Sequence, residues 1–358
     1  MTGMVALPND PLWQEFLAAS ARIGGDIGLV QGAGGNTSLK QDGALWIKAS
    51  GTWLAEAEAR PIMVPLDLPA LRARVMAGDL VEAEVAGMTL PGGPAGLRAS
   101  VEAPFHALIP ARCVMHVHCT DTIAMAIRED AEAQLRKRLQ GLNWHWQPYV
   151  KPGVPLTNAM RDGGAAGADI VILGNHGLIA SADTPAGARA LLTEVRARLG
   201  GPVAATSSVM VAPLQGLSST GYVPATVPGG HDLVLDPDLR ALAGNCAIAP
   251  DFVVFFGPNI PILTPGPDLP ARLSALAAQP LPRHAVVLVE GHGALIRANA
   301  MRGTAELLAG YVQVLKRHLA NGGGAIRHFT PAESAELLNW DAEKYRQAMN
   351  SGGADVAS

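Results

Sequence analysis

Several things are scarce in this chain of 358 residues, and each scarcity removes a class of function. Charged residues make up 16% of it, the formal net charge is -4, and Lys and Arg are scattered. No basic stripe of the kind that tracks a phosphate backbone is present, which argues against a nucleic-acid partner. Apolar residues reach 49%, yet no uninterrupted apolar run approaches the ~20 residues that cross a bilayer, so no membrane span is expected. Met1 to Pro8 lack the basic and apolar regions of a secretion signal. Cysteine occurs three times, at Cys113, Cys119 and Cys246, without metal-type CxxC spacing. That odd count fits reduced thiols in a cytoplasmic protein. The turn Gly32 to Asn36 lacks the complete GxGxxG pattern and the acidic residue that follows it in a dinucleotide site, which argues against a dehydrogenase.

What is present concentrates in Ser100 to His118 and in Leu173-Gly-Asn-His-Gly177. Alternate side chains share one face of a β-strand, so His116 and His118 in the run Val114 to His118 point the same way. A third imidazole, His176, follows the apolar run Ile170 to Leu173 where such a strand ends. Three neutral imidazoles are costly to bury without partners, and a metal is a common partner for them. Three His ligands on zinc leave a fourth position for water or substrate, which is the pattern of a catalytic site. Ser100 reads as a helix N-cap with Glu102 in the first turn, and Glu102 and His106 then stand four residues apart on one helical face. His106 is expected to orient or adjoin the site.

Three further segments suit an anion. Gly32-Ala-Gly-Gly-Asn36 is dense in glycine, whose freedom lets backbone N–H groups converge. Asp42-Gly43 is a hairpin signal between the runs 37–39 and 44–48, and that hairpin brings Ser50-Gly51 towards the glycine turn. Lys151, in the proline-stiffened stretch Tyr149 to Pro155, is a candidate anion ligand whose plainer reading is an exposed lysine.

Taken in order, Gly34-Gly-Asn-Thr-Ser38, Ser100-Val-Glu102 with His106, His116-Val-His118 and Asn175-His-Gly-Leu-Ile179 resemble the successive motifs of the class II aldolase/adducin family over roughly residues 10 to 200. The resemblance implies His116, His118 and His176 as ligands of one Zn2+ per chain, with Mn2+ or Co2+ also accepted by such a site, and Glu102 as the acid/base. It implies Asn36, Ser50, Gly51 and Ser100 as the residues that hold a substrate phosphate. The sugar-phosphate aldolases carry two neighbouring hydroxyl residues before the glutamate, whereas this chain has Ser100-Val101. One phosphate donor is therefore missing, and either Arg98 and Lys151 compensate or the substrate carries a carboxylate. The implied fold is an α/β/α three-layer sandwich around a mainly antiparallel or mixed sheet. The implied reaction is cleavage or formation of a C–C bond in a small sugar phosphate or sugar-acid derivative, through a metal-stabilised enediolate. Decarboxylation and 4-epimerisation use the same chemistry, and a non-catalytic adducin-like scaffold is the alternative from another class. Members of the family commonly form fourfold rings, so the resemblance implies a homo-oligomer, dimer or tetramer.

A repeat lies within the chain. At a constant offset of 116 residues, His176-Gly177 falls on His292-Gly293, Leu191-Leu192 on Leu307-Leu308, and the run Ile170 to Leu173 on Val286 to Val289. Both copies read as strand, HG turn and amphipathic helix, from about Pro185 to Leu199 and from about Met301 to Leu319. The chain is accordingly divided into a catalytic domain, 1–205, and a degenerate second copy, 206–358. Pro250 to Gly257 takes the place of the HxH strand without histidines, so His292 stands alone and one metal centre per chain is expected. Residues 216–230 read as an extended loop, and Thr330 to Leu338 as a capped helix that continues to about Met349.

Overall fold

The computed structural model describes residues 7–201, 214 and 216–351; the junction expected at 205/206 and the chain end past Ser351 lie outside them. The described residues divide into two compact units, one of residues up to 126 with 131–199, the other of 127–130 with those from 200 onward.

In the first unit seven strands form one sheet: β1 (Asn36–Gln41), β2 (Ala44–Lys48), β3 (Met63–Asp67), β4 (Cys113–Val117), β5 (Trp144–Gln147), β6 (Ile170–Leu173) and β7 (Gly177–Ala182), in the order β3-β2-β1-β4-β7-β6-β5. Neighbours run antiparallel except β5 and β6, which are parallel. The β1–β2 hairpin turns on Asp42 and Gly43, at φ 51° and 77°, the positive values that a two-residue turn matching the strand twist requires. Strand alternation sends Leu39, Trp46, Met115, Ile172 and Leu178 into one core, against helices Pro11–Gly24 and Pro185–Leu199. It sends Leu45, Ile47, Val114, Val171 and Ile179 into another, against helices Leu68–Ala77, Ala103–Leu108 and Val154–Asp162. Two apolar faces, each covered by helices, make the α/β/α sandwich and explain why these strands read as continuous apolar runs.

The second unit holds a four-stranded sheet of β8 (Tyr222–Pro224), β9 (Ile262–Leu263), β10 (Val286–Val289) and β11 (Gly293–Arg297), in the order β8-β11-β10-β9. Its pairings repeat part of the first sheet. Ile170 pairs with Ala180 and Leu173 with Gly177; at the same offset of 116, Val286 pairs with Ile296 and Val289 with Gly293. Gln147 pairs with Leu173 in parallel, as Leu263 does with Val289. The order β8-β11-β10-β9 therefore reproduces β4-β7-β6-β5.

Several local expectations are corrected. Pro250 to Gly257 is a helix, Pro250–Phe256, with every residue buried. A short, wholly apolar run has no periodicity to tell helix from strand; packing chose the helix, and Pro250 is tolerated at its first position. The strand at the HxH place is β8, inside the stretch 216–230 read as loop, which also contains the helical turn Leu217–Ser219. Glu102 is itself the N-cap of Ala103–Leu108 and does not lie in its first turn. The repeat's second helix begins later than expected, at Thr304 after Gly303 in the left-handed region. The C-terminal helix is two, Pro331–Asn339 and Asp341–Met349, broken at Trp340 whose ψ of 127° is extended.

Candidate active site

β4 is the central piece, flanked by β1 and β7. Its even-numbered residues face the helix layer that contains Ala103–Leu108, so His116 lies on the side from which Glu102 approaches. β1 presents Asn36 and Ser38 to that same side, and Asn36 stands directly across the ladder from His116. Two glycines permit the close approach of the neighbouring chains. A Cβ on Gly35, where φ is +57°, would lie 2.8 Å from the carbonyl oxygen of His116, and one on Gly177 would lie 2.4 Å from that of Val117. Side chains at either position would push the flanking strand away from the histidines.

His118 directly follows the end of β4, and His176 sits in the turn between β6 and β7, after Asn175 at φ 51°. The three rings lie with centroids 4.8 to 5.2 Å apart, all buried, and one ligand nitrogen from each falls within 4.8 Å of the others. Nε2 of His116 and of His118 are 3.2 Å apart; nitrogens bonded at ~2.0–2.1 Å to one tetrahedral zinc stand roughly 3.3 Å apart. The Nδ1–H of His116 donates to the Leu178 carbonyl at 3.2 Å, which leaves the Nε2 lone pair towards the cluster. The donor set and its spacing therefore fit a borderline metal ion such as zinc.

Glu102 is 6% exposed. Its Oε2 lies 3.4 Å from Nε2 of His116 and its Oε1 3.7 Å from Nε2 of His176. Asn36 donates from Nδ2 to that Oε2 at 2.7 Å and to Ser100 Oγ at 3.2 Å. Ser100 Oγ also accepts from the Glu102 N–H at 3.3 Å. His106 is wholly buried, its Nε2 2.5 Å from Asn36 Oδ1 and its Nδ1 2.7 Å from Ser38 Oγ. Burial, with the charges of Lys40 and His116 adding to it, holds the His106 pKa well below the usual histidine range. Lys40 is also buried, donates to the Ala111 carbonyl at 2.6 Å, and has its pKa pushed down to about 7 by burial and by Arg72.

The turn Ser50-Gly51 adjoins Ser100 through a bridge between Ala49 and Ala99 and a bond from Ser50 N–H to the Arg98 carbonyl. A residue that sequence reasoning passed over ties this turn to the glycine turn. The buried ammonium of Lys48 donates to the carbonyls of Ala33, at 3.0 Å, and Thr52, at 2.7 Å. Its signal was a lysine closing the otherwise apolar run Ala44-Leu-Trp-Ile. Lys151 is half-buried ahead of helix Val154–Asp162, and its carbonyl accepts from the Leu156 N–H. The structure thus brings Glu102, His116, His118, His176, Asn36 and Ser100 into one cluster and sets Ser50-Gly51 beside it.

These features define a class of protein. The sequence profile of the family described as Class II Aldolase and Adducin N-terminal domain matches residues 14–199, and the chain belongs to that family. Among relatives, a Bacillus subtilis protein named as the uncharacterized oxidoreductase YuxG is 28% identical over 187 residues, which is 48% of this chain and 26% of that protein. The chain thus matches about a quarter of that relative's length. The N-terminal class II aldolase domain of a conserved Thermoplasma acidophilum protein is similar at 23% identity and a TM-score of 0.47, over 56% of this chain and 97% of that one. L-fuculose-1-phosphate aldolase from Thermus thermophilus is similar at 20% identity and a TM-score of 0.34, over 52% of this chain and 92% of that one.

Among the described residues no helix is long and apolar enough to cross a membrane. The three cysteines are unpaired and buried.

Proposed function

We propose that this chain is a metal-dependent lyase of the class II aldolase type, cleaving or forming a C–C bond in a small sugar phosphate or sugar-acid derivative. The observation that carries the reading is the convergence of one buried carboxylate, Glu102, on the three imidazoles of His116, His118 and His176. Those imidazoles would hold Zn2+, which supplies Lewis-acid polarisation of adjacent carbonyl and hydroxyl oxygens when bound. Glu102 takes the proton from the substrate hydroxyl as the C–C bond breaks and returns it to carbon. Its burial beside the histidines excludes water that would otherwise compete for that proton. Ser50, Gly51, Ser100 and Lys151 hold the anionic end of the substrate, while the side chain of Asn36, spent on Glu102 and Ser100, joins that pocket to the carboxylate; the ammonium of Lys48, linking the two turns, biases the pocket towards negative charge. The relative named as an oxidoreductase shares only the matched quarter of its length, too little to bring an oxidoreductase activity to this chain.

We also infer that the second unit is a degenerate copy of the first domain, with the boundary near 205/206. The support is the shared strand order and the pairing that recurs at an offset of 116. In β4 His116 pairs with Ile179; the residue paired with the equivalent Leu295 is Pro224. A proline thus stands where the first unit has a metal-ligand candidate.

The test is metal analysis of the purified chain followed by assays on sugar phosphates and sugar acids, with Glu102→Gln beside the wild type. Near one equivalent of zinc in both, and turnover in the wild type alone, is the expected result. Absence of metal after zinc is added back would favour a scaffold role. Release of CO2 or inversion of a stereocentre in place of a fragment aldehyde would move the reaction to decarboxylation or epimerisation.

A further inference from the structure

The hydrogen bonds around His106 run in one direction only, and that direction ends on Glu102. An ionised carboxylate accepts and cannot donate. The atom of Asn36 nearest Oε2, at 2.7 Å, must therefore be the amide nitrogen. The carboxamide oxygen then faces Nε2 of His106 at 2.5 Å, so Nε2 must carry a proton. A neutral imidazole has one N–H, which leaves Nδ1 bare to accept the hydroxyl proton of Ser38 at 2.7 Å. The opposite tautomer would turn the Asn36 carboxamide around and set its oxygen against the carboxylate.

The consequence concerns the two oxygens of Glu102. Oε2 is held by Asn36, whereas Oε1 is buried without a hydrogen-bond partner and lies 3.7 Å from Nε2 of His176. We infer that His106 is a positioning residue: through Asn36 it holds Oε2 of Glu102 and leaves Oε1 as the oxygen that meets the substrate. This rests on the reading of Glu102 as the proton-transfer group. The plainer role of a buried histidine is to pack, and His106 does stack on Phe105 with centroids 4.7 Å apart. Packing alone does not need a particular tautomer. Positioning does.

The test has two arms. In the metal-free, full-length protein labelled with 15N-histidine, the ring signals of His106, assigned by their loss in His106→Gln, should report a protonated Nε2 and a bare Nδ1. In the metal-loaded protein, His106→Leu should lower kcat by about 10- to 100-fold, the range for partners that orient site residues, with KM and bound metal unchanged. His106→Gln, whose side-chain amide can reach the Nε2 position, should restore much of kcat. Ser38→Ala, a milder change that removes only the proton donor to Nδ1, covers the case in which His106→Leu does not fold, and should lower kcat in the same selective way. A proton on Nδ1, a kcat unaffected by Leu or by Ser38→Ala, or a Gln variant as impaired as Leu would each overturn the inference. If the wild type turns over none of the substrates, the functional reading fails, and the ring signals still decide whether His106 holds Asn36.

Discussion

Gly177 and Val117 meet so closely that a methyl group on the first would lie 2.4 Å from the carbonyl oxygen of the second. No real Cβ tolerates that distance to a backbone atom, so β7 would have to move away from β4. Gly177 directly follows His176, and Val117 lies between His116 and His118. Gly177→Ala should therefore cost about 1–3 kcal/mol, the range for an overpacked interior, and should weaken metal binding along with stability. Denaturant unfolding and metal titration of the same preparation would check this. A variant with wild-type affinity for zinc would show that the close contact does not set the ligand geometry.

The two HG turns should behave differently. His116→Ala should lose the bound metal, because a chelate of three imidazoles becomes one of two. His292→Ala should retain a full equivalent, because Pro224 stands at the register of His116 in the second sheet. Metal analysis of the two purified variants decides between one centre per chain and two.

Lys40 makes stability depend on pH. Its folded-state pKa, about 7, lies below the ordinary 10.5 because burial disfavours the ammonium. Between those values the unfolded chain binds a proton that the folded chain does not. Stability should therefore rise with pH through that window, by at most about 1.4 kcal/mol per unit. The cleanest range ends at pH 9, the ordinary value of a thiol, since Cys113 is raised by burial to about 12 and contributes the opposite slope above it. Denaturation of the wild type and Lys40→Met from pH 7 to 9 should show the rise in the first and its loss in the second. Parallel curves would mean that Lys40 stays protonated in the folded state.

A cap in the second unit offers a separate handle. Thr330 Oγ accepts from the Glu333 N–H at 3.2 Å while Glu333 Oε2 accepts from the Thr330 N–H at 2.8 Å. Thr330→Ala should cost about 1 kcal/mol and leave metal binding in the first unit unchanged. Unfolding followed by circular dichroism, with metal content measured in parallel, would test both halves of that statement.

Much of the first unit was legible because its code is local. The HxH spacing in Val114 to His118 brought two imidazoles together, though β4 ends at Val117 and His118 lies one residue past it; Asp42-Gly43 marked the hairpin, and Asn175-His-Gly177 marked the turn that carries the third ligand. Thr330-Pro-Ala-Glu333 announced its own capping box. The second unit was harder. Phe252, Val253, Val254 and Phe255 suit a buried strand as well as a buried helix, and only their neighbours in space chose between them. Tyr222 to Pro224 is three residues long, too short to show a period, and became a strand by pairing with β11.

The sequence by itself determined where most of the chemistry-bearing residues fall and to within a residue or two which element or turn carries them, since side-chain alternation, proline and glycine act within a few residues. Tertiary structure decided who meets whom. The order β1-β4-β7 set Asn36 opposite His116 and brought His176 beside it, and the packing of Ala103–Leu108 on that face delivered Glu102. The bonds that join Lys48 to Ala33 and His106 to Ser38 link residues 15 and 68 positions apart. Burial gives such bonds their strength, because an unpaired polar group in the interior costs more than the bond returns at the surface. Which groups are buried together is a property of the sheet order, and no local pattern encodes it.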